Sequence, residues 1–258
     1  MNLNCGGWFL HYFVWYKFAQ HFYNPNHAMA KGLFGSSLMK KFWMSLTGLF
    51  LISFLLVHCA LNALIFANDG GMLFNQGAHF MGTNIIIRTM EIVLFAGLIA
   101  HVVDGLMLYF QNRKARPVKY AYENAGASSK WYSRSMALLG TLILLFLILH
   151  LYHFWLRTRI TGLTVQPTHV FFEGHKLEDL YGEMKFVFSH LWVVIVYVLG
   201  CFSLFWHLLH GFRSAFQSLG LNYTKYKNGI AFCGDLFSVL IPTVFAAMPV
   251  SMYMGWVH

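Results

Sequence analysis

The sequence predicts an all-α membrane protein with five transmembrane helices. Of the 258 residues, 58% are hydrophobic and only 10% are charged, and the mean hydropathy of +0.55 is too high for a soluble domain of this size. Five apolar stretches are long enough to cross a bilayer, and polar loops separate them. The net charge of +9 comes largely from Lys and Arg in those loops. We therefore expect membrane lipid, and no nucleic acid, as a partner.

The chain before the first span is predicted to lie at the membrane surface. It contains an aromatic run, WFLHYFVWYKF, that is too short to cross a bilayer. It also lacks the basic start of a signal peptide. We expect an N-terminal cytoplasmic or interfacial segment at 1–37 and a membrane domain at 38–258.

Five spans follow one another in the membrane domain, and the first four are expected to form a bundle. The predicted spans are 42–66, 85–110, 135–155, 186–212 and 229–256. The loop 68–84 is rich in Gly and Asn and has no Lys or Arg, whereas the loop 111–134 is the most basic in the chain. Because basic loops stay in the cytoplasm, we expect the N-terminus inside and the C-terminus outside.

Four histidines lie within the first four predicted spans, where ionisable residues are rare and often functional. Consecutive spans run in opposite directions, so His58 and His150 are expected in the outer half and His101 and His207 in the inner half. At a rise of ~1.5 Å per residue, roughly 10 to 20 Å separates the two layers. Two stacked haem groups, each ligated by two histidines, would need this arrangement.

The chemistry of histidine suits this role, because one neutral ring nitrogen can coordinate iron while the other is held by an acceptor. Iron with both axial positions filled is suited to electron transfer. Any single histidine here is equally well explained as a hydrogen-bonded packing residue, but matched depths across four helices favour ligands. His153 and His210 each lie three residues beyond a favoured ligand and compete for its role.

Small and acidic residues accompany the inner layer. Gly97 and Gly105 lie about one turn on either side of His101 and would leave room for a flat macrocycle. Tight packing between membrane helices explains these glycines equally well. Asp104 is expected to hydrogen-bond near the inner haem or to a neighbouring helix.

The second span also carries Arg88 and Glu91 close to its outer end. The two form either a buried ion pair or part of a proton route to an outer quinone site, and both interpretations stay open. His190, early in the fourth span, and His79 are expected to face solvent or quinone rather than iron. Arg88, Glu91 and His190 are therefore the candidate quinone-site residues.

The four cysteines form no C-x-x-C pair, so no iron–sulfur cluster is expected in this chain. Any such centre would belong to a partner. The cysteines are Cys5, Cys59, Cys201 and Cys233.

Several motifs resemble a known family. His101 and His207 each begin H-x-x-x-G, and the most specific stretches are QNRKARP after the second span, HLYHFW from His150, and HGFRSAFQSLGLN after the fourth span. Over about 31–258 the chain resembles the single-chain dihaem cytochrome b membrane anchor, of the b558 type, of succinate dehydrogenases and fumarate reductases. The first thirty residues do not match that family's pattern.

The resemblance implies two b haems, the outer one ligated by His58 and His150 and the inner one by His101 and His207. It also implies a flavoprotein subunit with covalent FAD and an iron–sulfur subunit, both docked on the basic cytoplasmic face. A menaquinone pocket is implied near the outer haem, in the inner (cytoplasmic) membrane of a bacterium. The resemblance is also compatible with a higher oligomer of the resulting heterotrimer.

The resulting expectation is a membrane anchor of a succinate:quinone oxidoreductase that relays electrons between the iron–sulfur subunit and menaquinone. The chain itself would not oxidise succinate, and the direction of the reaction stays open. One alternative is the cytochrome b subunit of a hydrogenase or formate dehydrogenase. Another is a haem-free transporter whose membrane histidines relay protons with Glu91 and Asp104.

Overall fold

The computed structural model describes residues 37–114, 130–172, 174–221 and 224–257. The predicted segment 1–37 therefore lies outside the described residues except at its last position, as does most of the basic loop 111–134. The chain divides into two compact units, 1–41 and 42–258. Of the first unit only 37–41 is described, and these residues begin the first helix.

The described chain is almost entirely helical. Its helices are α1 (Ser37–Asn62, continued by a 3₁₀ turn at Ala63–Ala67), α2 (Met72–Thr83), α3 (Ile85–Lys114), α4 (Trp131–Arg134), α5 (Met136–His150, continued by a π-helix at Leu151–Thr161), α6 (Leu180–Phe188), α7 (Leu191–Ser218) and α8 (Lys227–Tyr253). An antiparallel hairpin of β1 (His169–Phe172) and β2 (His175–Glu178) joins α5 to α6.

Five helices are long and apolar enough to cross a membrane, which confirms the predicted fold class. They cover Leu38–Ala67, Ile85–Lys114, Met136–Thr161, Leu191–Ser218 and Lys227–Tyr253. Their outer faces leave large apolar side chains uncovered, among them Ile85 at 77% exposure and Ile92 at 72%. Such a surface is stable in contact with lipid rather than water, so the chain is a multi-pass membrane protein.

The loops at one end of the bundle contain two helices that the sequence analysis did not predict. Within the predicted loop 68–84, Asp69 accepts hydrogen bonds from the backbone nitrogens of Gly71 at 3.0 Å and Leu73 at 2.8 Å, and α2 begins there. A carboxylate that accepts from the first free amides stabilises a helix start. The second helix, α6, ends at Phe188, so the fourth span begins at Leu191 rather than at 186.

These two helices are joined by buried polar contacts. Asn75 of α2 donates its amide to Asp179 at 3.1 Å and accepts from the backbone nitrogen of Tyr181 at 2.9 Å. Asp179 also caps α6 by accepting from the nitrogen of Gly182 at 2.9 Å. Burial, followed by the negative charge of Asp69, raises the pKa of Tyr181. We call this arrangement of α2, α6 and the hairpin the cap.

Most of the large buried side chains lie in and beneath the cap. A single apolar cluster joins α2 and α6 to the ends of the spans that reach this side; its members include Ile65, Phe74, Met184, Tyr197 and Met252. In contrast, none of the residues of α3, Ile85–Lys114, is buried by the described chain. The described spans are therefore most closely packed beneath the cap, and α3 contributes no buried residue to this packing.

Candidate metal centres

The structure brings two histidines together beneath the cap. His58 of α1 and His150 of α5 have ring centroids 5.8 Å apart, and their planes are inclined by 89°. Aromatic rings surround the pair, with Phe54 stacked on His58 at 5.2 Å and Phe146 beside His150 at 5.7 Å. The two imidazoles thus meet at nearly a right angle among aromatic side chains.

A second pair lies deeper in the bundle. His101 of α3 and His207 of α7 have ring centroids 6.2 Å apart, with an interplanar angle of 70°. Two glycines make room for these rings, because a Cβ on Gly48 would lie 3.4 Å from His101 Cε1 and one on Gly140 would lie 3.8 Å from His207 Cε1. A Cβ at either glycine would already be in van der Waals contact with a ring, so a side chain longer than that of alanine would press on the pair.

The two pairs lie at different depths, and the difference can be counted in residues along two helices, α1 and α5. Gly48 marks the depth of His101 on α1, and His58 follows ten residues later in the same helix. Gly140 marks the depth of His207 on α5, and His150 also follows ten residues later. At a helical rise of ~1.5 Å per residue, both intervals place the pairs about 15 Å apart.

A hydroxyl group holds one ring of the deeper pair. Thr47 Oγ1 lies 3.3 Å from His101 Nδ1 and donates its own proton to the carbonyl of Trp43 at 2.9 Å. Because that proton is used, the hydroxyl oxygen is free to accept from Nδ1–H of His101. This tautomer leaves Nε2 of His101 without a proton, which is the form that a metal requires.

The other three rings differ from His101 in their partners. Asn62 places its amide nitrogen 3.3 Å from His58 Nδ1 while it donates to the His58 carbonyl at 2.7 Å. A donor at Nδ1 suits a proton on Nε2, so iron on Nε2 of His58 would require this amide to turn over. In His150 and His207, Nδ1 is buried without a hydrogen-bond partner in the described chain, which is costly for a polar atom.

The number of ligands limits what each pair can bind. In the described residues, no three His, Cys, Asp or Glu side chains are grouped so that they could hold a metal ion. Two imidazoles alone do not complete the coordination of a bare zinc or copper ion. They do complete that of an iron whose other four ligands come from a porphyrin. The donor set at both pairs thus fits a haem.

The ring separations agree with this assignment. A metal-bound imidazole nitrogen lies about 2 Å from the metal, so the centres of two rings on opposite sides of one metal lie roughly 6 Å apart. The observed separations of 5.8 Å and 6.2 Å are both close to that value.

The two competing histidines lie elsewhere. His153 is 8% exposed, and its Nδ1 is hydrogen-bonded to the hydroxyl of Tyr197 at 3.0 Å. The π-helix that begins at Leu151 has more residues per turn than an α-helix, so three positions rotate His153 farther from the face of His150. His210 lies near the ring of Tyr132, at 6.4 Å.

The glycines that flank His101 face helix α1. A Cβ on Gly97 would lie 3.1 Å from the ring of Phe50, and one on Gly105 would lie 3.3 Å from the terminal methyl of Met44. Both glycines therefore permit close side-chain packing between α3 and α1, as the packing interpretation expects, and the room for a macrocycle stays a prediction.

Glu91 is the centre of a polar cluster near the start of α3. Its carboxylate pairs with Arg88 at 2.9 Å and with Arg159 at 3.4 Å. It also accepts a hydrogen bond from the indole nitrogen of Trp155 at 2.6 Å. The ion pair between Arg88 and Glu91 is thus present, and Arg159, which lies 68 residues away in the chain, extends it.

The Glu91 cluster borders a cleft of about 380 Å³ that also includes Ile92 and Phe95. Glu91 precedes His101 by ten residues in α3, the same interval that separates the two histidine pairs, so the cleft lies near the depth of the pair beneath the cap. His190 is exposed at the start of α7 and does not line this cleft. The structure therefore brings Arg88 and Glu91 together but leaves His190 apart from them.

Several residues that shape these sites were not singled out from the sequence: Thr47, Gly48, Gly140, Trp155 and Arg159. A signal for the glycines was present, because a glycine precedes the outer-layer histidine by ten residues in both α1 and α5. The roles of Thr47, Trp155 and Arg159 depend on contacts between helices, which the sequence does not display.

Comparisons of the chain with protein-family models, with curated proteins and with solved structures found no match. The function proposed for it therefore rests on the two histidine pairs and on the motif resemblance.

Proposed function

We propose that the chain is a dihaem cytochrome b that anchors a succinate dehydrogenase or fumarate reductase in the membrane and carries electrons between an iron–sulfur subunit and menaquinone. The observation that supports it is the presence of two imidazole pairs, about 15 Å apart, each without a third protein ligand in the part of the chain that the structure describes. Two one-electron centres stacked through a bilayer form a relay across it.

Each haem would be held by one residue from each of two helices. His58 and His150 would hold the haem beneath the cap, and His101 and His207 the deeper one. A haem held by two histidines would supply reversible one-electron chemistry. The chain contributes a dry, aromatic setting, and Thr47 fixes the ring of His101 in the tautomer that can bind iron.

The orientation and the partners follow from charge and from the motif resemblance. We place the end that carries Lys114 and Lys227 in the cytoplasm, because basic residues accumulate there. The N-terminus would then lie inside and the C-terminus outside, in the inner membrane of a bacterium. The flavoprotein and iron–sulfur subunits would dock at the basic end, next to the deeper haem, and would supply the FAD and the iron–sulfur clusters.

The cleft beside Glu91 is the proposed quinone site. Its apolar walls, Ile92 and Phe95, suit a quinone ring, and the Arg88 guanidinium at its edge can donate to a quinone oxygen. The Glu91 carboxylate is placed to accept or deliver the proton that accompanies each electron. Replacing Glu91 with Gln should abolish quinone turnover while the content of both haems stays at the wild-type level.

The first experiment counts haem in the purified chain and in single variants. Reduced-minus-oxidised spectra and haem-to-protein ratios should give two b haems for the wild type. His101→Ala and His58→Ala should each lose one haem and retain the other, because the pairs are about 15 Å apart and share no ligand. As matched controls, His153→Ala and His210→Ala should keep both. A haem-free wild type would reject the proposal, as would a control variant that loses a haem.

The second experiment identifies the partners. Purification of the tagged chain from its own cells should bring a flavoprotein and an iron–sulfur protein with it, and the complex should couple succinate and fumarate to quinone. Recovery of a nickel or molybdenum subunit instead would assign the chain to a hydrogenase or a formate dehydrogenase. A complex with no redox subunit and no haem would favour the transporter alternative.

A further inference from the structure

A groove lies between α7 and α8 at the end of the bundle that carries the basic residues. Its volume is about 360 Å³, and it is distinct from both histidine pairs and from the Glu91 cleft. Residues from the end of α7, from the start of α8 and from the segment between them line it. The groove therefore lies where the helices emerge from the bilayer, at the depth of lipid headgroups and of the first part of the acyl chains.

The walls of the groove are apolar and closely fitted to each other. Phe212 and Phe216 of α7 stack with ring centroids 5.0 Å apart and an interplanar angle of 28°. Phe212 packs against α8 at Gly234, where a Cβ would lie 2.7 Å from the Phe212 ring. Ile230 completes this apolar surface from α8. Such a surface suits a hydrocarbon chain.

One cation lies at the edge of the groove. Lys225 is exposed and makes no ion pair with any residue in the described part of the chain; its ammonium lies 5.4 Å from the centre of the Tyr226 ring. The nearby guanidinium of Arg213 is already paired with Asp235. None of the lining residues, all of which are described, is acidic. Within the described chain, the groove thus has an unpaired positive charge beside its apolar surface.

We propose that this groove binds one anionic phospholipid, with an acyl chain against Phe212, Phe216 and Ile230 and the phosphate at Lys225. The cation favours an anionic over a zwitterionic headgroup, since each Lys near a membrane surface attracts anionic lipid by about 1 kcal/mol. A quinone headgroup fits less well, because it carries no charge to match the ammonium. The proposal goes beyond the electron-transfer function and does not depend on it.

Substitution of Gly229 tests directly whether a lipid occupies the groove. It lines the groove within α8, and a Cβ built on it meets no atom within 4 Å. A Cβ at this position would therefore meet no clash, so we expect a Leu side chain here to take up space in the groove, and Leu favours helix more than Gly does. Asn228 is exposed, lies next to Gly229 in the same helix and does not line the groove, so Asn228→Leu is a matched control.

The experiment titrates the purified full-length chain in detergent with phosphatidylglycerol or with phosphatidylcholine of the same acyl chains. Native mass spectrometry then counts the bound lipids. We expect one phosphatidylglycerol to bind more tightly than phosphatidylcholine. Lys225→Gln should weaken the binding of phosphatidylglycerol about fivefold and leave the binding of phosphatidylcholine unchanged. Gly229→Leu should weaken the binding of both lipids. The control substitutions Lys227→Gln and Asn228→Leu should change the binding of neither lipid.

A second readout uses the exposed thiol of Cys233 in the groove. Phosphatidylglycerol should slow alkylation of Cys233 by N-ethylmaleimide, but should not slow alkylation at the control position in an Asn228→Cys, Cys233→Ser variant. Equal binding of the two lipids by the wild type would overturn the proposal, as would equal effects of Lys225→Gln and Lys227→Gln. Displacement of the lipid from the wild type by an equal concentration of a menaquinone analogue would assign the groove to quinone instead.

Discussion

The hydroxyl of Thr47 is expected to set the haem affinity of the deeper pair. In Thr47→Val the side chain keeps its shape but can no longer accept from Nδ1–H of His101, which lies 3.3 Å from Oγ1. Loss of a group that orients a metal-ligating histidine typically lowers metal affinity ten- to a hundredfold, or about 1.4 to 2.7 kcal/mol. One haem should therefore dissociate more readily, and the other should stay.

The assay is haem retention during dialysis of the purified chain, together with a redox titration followed in the visible spectrum. Thr47→Val should release one haem ten to a hundred times more readily and shift one of two midpoint potentials. Thr47→Ser keeps the hydroxyl and should behave as the wild type. Thr141→Val serves as a further control, because Thr141 Oγ1 makes a similar bond to a carbonyl four residues earlier, at 2.8 Å, without a histidine partner. Unchanged affinity in Thr47→Val, or loss of both haems, would refute the role of Thr47.

Three further substitutions test other parts of the structure. Gly140→Leu should drive a side chain into the deeper pair and remove one haem, whereas the outer haem should still be seen in difference spectra. Tyr197→Phe should leave the buried ring of His153 without its partner and destabilise the chain by about 1 to 3 kcal/mol, measured as a lower melting temperature with both haems retained. Glu183→Gln should weaken the bonds that its buried carboxylate accepts from Thr164, at 2.7 Å and 2.9 Å, and speed proteolysis of the loop after α5; an unchanged cleavage rate would count against this role.

The spans and the depth of the histidines could be inferred from sequence because the bilayer imposes both. A stretch such as 136–150 has almost no polar side chain, and its length leaves few structures open to it. Alternate threading then assigns His58 and His150 to one depth without any knowledge of packing. The distance between these rings within that layer depends on how α1 and α5 are placed, which no local pattern contains.

The cap was missed because its determinants are polar and distant in the chain. The amide of Asn75 is bonded to Asp179, which lies 104 residues later, and a Gly- and Asn-rich sequence predicts a loop when read locally. The π-helix after His150 was missed for a related reason. Its sequence, LYHFWLRTRIT, has no local signature that distinguishes it from an α-helix that continues into a basic loop.

The concentration of enclosed side chains beneath the cap implies a gradient of local stability along the membrane normal. Amide hydrogens in α6 and the first turns of α7 should exchange slowest with deuterium, because their neighbours, such as Phe188 and Val193, are almost fully enclosed. Amides of α3, which has no buried residue along its whole length, should exchange faster. A prosthetic group added to the assembled chain would then enter beside α3, while α6 and the start of α7 retain their shape.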